Sequence, residues 1–136
     1  MNISLSNLNK EQIKNNIDLQ QLLDKIKPLS FYLYGSFAKN KQNCNSDIDF
    51  MIIFKNNLQK FKNIDKIFSN IKKYILNIFK RNIDLVVMVH KKKLQYFEND
   101  LDPNTNFIYN VYNEGIKIYG KNDNDLIIES IKYGKY

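Results

Sequence analysis

The chain is poor in the residues that staple or punctuate a fold. Its 136 residues include one cysteine (Cys44), one histidine (His90), one arginine (Arg81) and no tryptophan. A lone cysteine excludes an internal disulfide and fits a reducing, cytoplasmic setting. A lone histidine nearly excludes a histidine-based metal centre or a Ser-His-Asp arrangement, and His90 is expected only to end a strand. No apolar run approaches the roughly 18–20 residues that a bilayer span requires. Met1-Asn2-Ile3-Ser4 does not carry the pattern of a secretory leader. With two prolines, four glycines, no repeat and no low-complexity linker, the expectation is one domain over residues 1–136, away from membranes.

What is abundant is lysine, asparagine and isoleucine, at 20, 21 and 19 residues. That bias is expected of AT-rich coding sequence whatever the protein does. The formal net charge of +7 raises nucleic acid as a partner. Bidentate contacts to bases and phosphates favour arginine, however, and only Arg81 is available. A solvated lysine surface is therefore the favoured reading, and a nucleic-acid footprint the less favoured one. Lys91-Lys92-Lys93 reads as an exposed turn.

Apolar spacing organises the chain. Asn9–Lys27 has helical periodicity and is stopped by Pro28. Leu29–Tyr34 reads as a buried strand ending at Gly35, Ser36–Asn40 as a short helix, Lys41–Ser46 as a polar loop and Asp47–Phe54 as a second strand. Lys60–Lys80 carries one broad apolar stripe and reads as a long core-packed helix. Ile83–Val89 is short and β-branched, hence a third strand. Lys92–Leu101 and Asn104–Asn113 read as helices, with Gly115 at the end of the second. Ile116–Tyr119 is expected as a last strand, and Asp123 as the cap of a helix over Asn124–Lys132. The fold class is α/β (α+β), a small mixed sheet with helices packed on it.

Three acids stand out. Asp47 and Asp49 are two apart on one strand and so project to one face, about 6.8 Å apart along the backbone, with Ile48 and Phe50 opposite. Paired carboxylates repel, and a divalent cation relieves that conflict; Mg²⁺ favours a few carboxylates plus phosphate oxygens. A charged, soluble strand edge produces the same tripeptide. Separated from Asp47 by ten residues, Gly35 and Ser36 end an apolar strand at a helix start, an arrangement that admits a phosphate, although Gly-Ser is also common in ordinary turns. Asp84 lies in a strand of Ile, Leu, Val and Met, either at its exposed start or, if that strand pairs with Asp47–Phe54, beside the other two acids.

Gly35-Ser36, Ser46-Asp47-Ile48-Asp49-Phe50-Met51-Ile52 and Asn82-Ile83-Asp84-Leu85-Val86 together resemble the nucleotidyltransferase superfamily related to DNA polymerase β. The nearest likeness is to its minimal branch, small proteins paired with HEPN-domain toxins, and Tyr112–Tyr119 resembles that branch's usual ending. Asn40 stands where the motif commonly has Gly, and Asn best tolerates a left-handed turn. Lys39 stands where Arg is frequent, which keeps the charge but loses the planar fork.

The resemblance implies a polymerase β-like fold and in-line attack by a hydroxyl on the α-phosphorus of ATP, with pyrophosphate leaving. It implies Asp47, Asp49 and Asp84 as catalytic and metal-binding residues for two Mg²⁺ ions, and Gly35, Ser36 and Lys39 as nucleotide contacts. The acceptor it implies is a tyrosine hydroxyl of a HEPN toxin, making the protein an adenylylating antitoxin. The alternatives are a small-molecule or nucleic-acid 3′ acceptor, or an antitoxin that acts by binding alone.

Overall fold

The structure, a computed structural model, describes residues 8–55, 62–90, 105–120 and 130–136. Asn9 opens helix α1 (Lys10–Lys14) with a capping box: its side chain accepts the Gln12 N–H at 2.9 Å, and Gln12 Oε1 accepts the Asn9 N–H at 3.0 Å. The continuous helix expected over Asn9–Lys27 is instead two. The chain breaks at Asn15-Asn16, and Asn16 Oδ1 accepts the Leu19 N–H at 2.9 Å to start α2 (Ile17–Ile26). Asparagine side chains compete for backbone hydrogen bonds, so apolar periodicity alone does not carry the helix across them.

Five strands form one sheet in the order β4-β1-β2-β3-β5. They are β1 (Ser30–Tyr34), β2 (Ile48–Lys55), β3 (Ile83–His90), β4 (Ile116–Gly120) and β5 (Ser130–Lys135). β2 and β3 are parallel, joined through the long helix α4 (Ile64–Phe79), and the other pairings are antiparallel. The short α3 (Gly35–Ala38) follows β1, and α5 (Thr105–Glu114) leads into β4. This is the small mixed sheet expected from the sequence.

Three boundaries differ from expectation. Ser130–Lys132, expected at the end of a helix, belong to β5, where they pair with the backbone of β3. Gly134 weakens any helix there, and β3 offers an open edge that a strand satisfies. The rest of that expected helix and Lys92–Leu101 lie outside the described residues, as does Lys91-Lys92-Lys93. Asp47 precedes β2 rather than opening it, and α4 begins at Ile64 after a left-handed Asn63.

The alternation of side chains divides the core in two. On one face Phe31, Leu33, Phe50, Ile52, Leu85 and Val87 are fully buried under Leu19 and Leu23 of α2 and Phe68, Ile75 and Phe79 of α4. Phe50 lies 5.0 Å from Phe31 and 6.3 Å from Phe79 between ring centroids. On the other face a smaller cluster of Tyr32, Met51, Ile53, Val86 and Met88 packs on Ile108 and Val111 of α5. No helix among the described residues is long and apolar enough to cross a membrane.

Candidate active site

Register across three strands builds the site. Tyr34 of β1 sits opposite Asp49 of β2, and Asp49 opposite Asp84 of β3. All three therefore share the face of the smaller cluster, in a row at the sheet edge where β1 ends and β2 and β3 begin. Asp84 continues the Val86–Met88 face, as its parity requires, and the pairing that brings it to Asp49 is formed.

The Asp49 carboxyl is pushed up to about 6, first by burial, then by the charge of Asp84 and a hydrogen bond shared with it, and then by the charge of Asp47; Lys135 partly offsets this. Two carboxylates this close oppose each other's charge once Asp49 ionises, and a cation between them relieves that opposition. The Tyr34 hydroxyl is raised further above its ordinary value, by burial and then by Asp49 and Asp84, so it stays a neutral donor. Its ring meets Phe107 of α5 edge-on at 5.2 Å.

Asp47 is exposed at the mouth of β2, beside a cleft of about 380 Å³ between Cys44–Ser46 and Lys80–Asn82. Among the described residues no three His, Cys, Asp or Glu side chains form a group that could hold a metal ion. The pair Asp49–Asp84 still suits a divalent cation, because Mg²⁺ takes one or two protein carboxylates and completes its shell with phosphate oxygens and water. The donor set fits: two half-exposed acids are packed together with Lys135 as the one cationic side chain paired to them among the described residues.

Gly35 is required for two reasons. Its φ of +75° is strained for any side chain, and a Cβ built on it would lie 2.2 Å from Asp49 Oδ2. The glycine backbone thus rests directly against the carboxylate. Ser36 is half-buried in the first turn of α3, whose N-cap Tyr34 supplies no side-chain cap. Lys39 is turned to Glu114 at the end of α5, with Nζ 3.0 Å from Oε2 and both side chains about half exposed. Asn40 holds the expected left-handed turn, at φ +60°.

Two residues at the site are not evident from sequence. Tyr34 is marked only by its parity, one step before Gly35. Lys135, 3.7 Å from Asp84 Oδ2, lies in the segment whose strand was not foreseen. Arg81, just ahead of β3, donates to the carbonyls of Asn43 at 3.1 Å and Ser46 at 3.2 Å and lies 5.2 Å over the Phe37 ring. It therefore holds the loop before Asp47. Tyr133 and Tyr136 pack against Phe68, on the face opposite the carboxylates. Cys44 is exposed, and His90 ends β3, as expected.

The profile of the nucleotidyltransferase domain family matches residues 18–118, which include the sheet edge just described. The chain belongs to this family and is, in class, a nucleotidyltransferase. Among solved structures it is similar to a toxin–antitoxin crystallised with AMP-PNP, at 21% identity and a TM-score of 0.56 over 84% of this chain and 81% of that one. It is also similar to a double mutant of the toxin–antitoxin MntA-HpeT, at 21% identity and a TM-score of 0.55 over 89% and 82%. At these identities the likeness shows the fold. A search of curated proteins returns no match.

Proposed function

We propose that the chain transfers AMP from ATP to a hydroxyl of a protein partner, a tyrosine of a HEPN-type toxin, and so acts as an antitoxin from a single domain. The observation that carries the chemistry is the pairing of Asp49 with Asp84, with the Gly35 backbone against it. The acceptor class rests on the neighbours: one toxin–antitoxin was solved with AMP-PNP, and another carries two aspartates, two positions apart, changed to glutamate, the spacing of Asp47 and Asp49.

Asp49 and Asp84, with Asp47 at the mouth of the same edge, would hold Mg²⁺ (two ions in such sites), which would supply neutralisation of the phosphate charge. The residues of this chain do the rest. Gly35 and Ser36 leave room and donors for the β- and γ-phosphates. Asp84, the more lateral acid, takes the acceptor's proton, and Tyr34 donates to the negative edge without ionising. Lys39, held by Glu114, reaches a phosphate only by leaving that pair.

The test is transfer of α-labelled ATP to the product of the adjacent reading frame in the presence of Mg²⁺. Label should reach the partner with wild type and not with Asp47→Asn plus Asp49→Asn. Transfer that survives the double change removes the assignment of these acids. Nucleotide binding with no transfer to any partner favours an antitoxin that acts by contact alone.

A further inference from the structure

β5 runs antiparallel to β3 with Lys135 opposite Val86, so Lys135 belongs to the face that carries Asp84. Asp84 lies two residues along from Val86, within diagonal reach of a lysine side chain. The backbone at this point is held firmly. Tyr136 exchanges two hydrogen bonds with Leu85, at 2.7 and 2.9 Å, and its ring packs 5.4 Å from Phe68 while its hydroxyl donates to Asp65. Two neighbouring residues thus take opposite faces: Tyr136 is partly buried against Phe68 of α4, and Lys135 stands over the carboxylates.

The ammonium itself is held loosely. Nζ lies 3.7 Å from Asp84 Oδ2, longer than a good charged hydrogen bond, and the side chain is 55% exposed. A fixed base with a loosely engaged tip suits a charge that changes partners. The same position can receive a triphosphate, since Lys is a common point-charge ligand for phosphate.

We infer that Lys135 is a positioning residue of this site: it neutralises Asp84 while no cation is bound and turns to a phosphate oxygen of the nucleotide once one is. The inference rests on the nucleotidyltransferase reading of the Asp49–Asp84 pair, though not on the identity of the acceptor. No bond is made or broken at Lys135.

The experiment has two readouts, and neither needs the partner. Mn²⁺ binding to the nucleotide-free protein, followed by electron paramagnetic resonance, should tighten about three- to tenfold in Lys135→Gln, because a like charge leaves the site. Binding of the non-hydrolysable analogue AMP-PNP with Mn²⁺ should weaken by about five- to tenfold in the same variant. Lys135→Arg should restore both values to within about twofold, and the melting temperature of each variant confirms that β5 is intact. If the partner accepts label, Lys135→Gln should raise the KM for ATP with kcat changed less. Failure of either binding shift in a folded Lys135→Gln overturns the inference. Failure of wild type to transfer label, with both shifts present, overturns the acceptor assignment and leaves Lys135 in place.

Discussion

The two faces of the sheet meet the same backbone with opposite demands. On the α2/α4 face β1, β2 and β3 each contribute aromatic or aliphatic side chains that are fully enclosed. On the α5 face the apolar cluster is small, and toward one edge it gives way to Tyr34, Asp49, Asp84 and Lys135. Neighbours along β2 show the contrast most simply: Phe50 is wholly buried, and Asp49, one residue earlier, is half-exposed beside two other acids. Stability is concentrated on one face so that the other can hold charges that oppose each other. Uncompensated acids are a local cost, and a large unbroken core behind them is what tolerates it.

The largest test sets those two residues against each other. Asp49→Asn should reduce nucleotide transfer by at least about a hundredfold with no loss of melting temperature, whereas Phe50→Ala should lower stability by about 3–5 kcal/mol in urea denaturation. A destabilised Asp49→Asn would mean that the acid is structural. Next in size is Gly35→Ala, where strain at positive φ and the collision with Asp49 act together. A loss of about 1–2 kcal/mol, with transfer reduced more than tenfold, is expected, and unchanged kinetics would separate the glycine from the site.

The pH dependence is a smaller effect with a definite sign. Asp49 moves from an ordinary value of 3.8 to about 6 on folding. The folded state therefore binds its proton more tightly, and the penalty of ionising it appears as pH rises from about 4 to about 6. In divalent-free buffer the melting temperature of wild type should fall relative to Asp49→Asn across that window, and added Mg²⁺ should restore it above pH 6. A pH-independent difference would show that folding does not raise the Asp49 carboxyl. The smallest effect concerns Lys39. Its pair with Glu114 is exposed, so Lys39→Ala should change stability by no more than about 0.5 kcal/mol. A larger change in urea midpoint would mark that pair as part of the fold.

Much of this contrast is legible in the sequence, for stated reasons. The strands β1, β2 and β3 are short apolar runs bounded by turns, and strand parity puts Asp84 on the face of Val86 and Met88; that Asp49 shares this face follows from the β2–β3 register, which the sequence leaves as a condition. Asn40 shows its role because few residues other than glycine accept its backbone angle. The split of the first helix was there to be read in Asn15-Asn16, but apolar spacing outweighed it. β5 was missed because Asp123 resembles a helix cap, while the open edge of β3 that recruits Ser130–Lys135 exists only in three dimensions. Lys135 could not be placed at the site without that strand. Tyr34 was hidden differently, since an aromatic residue at a strand end is usually core.

Arg81 has a consequence for how the protein moves. Its guanidinium, rooted just before β3, grips both ends of the turn that delivers Asp47, so the segment bearing two of the acids and the strand bearing the third are tied at one point. Residues 43–46 should then exchange their amide hydrogens in step with the start of β3 rather than as an independent loop. The carboxylate edge opens as a unit or stays closed as one.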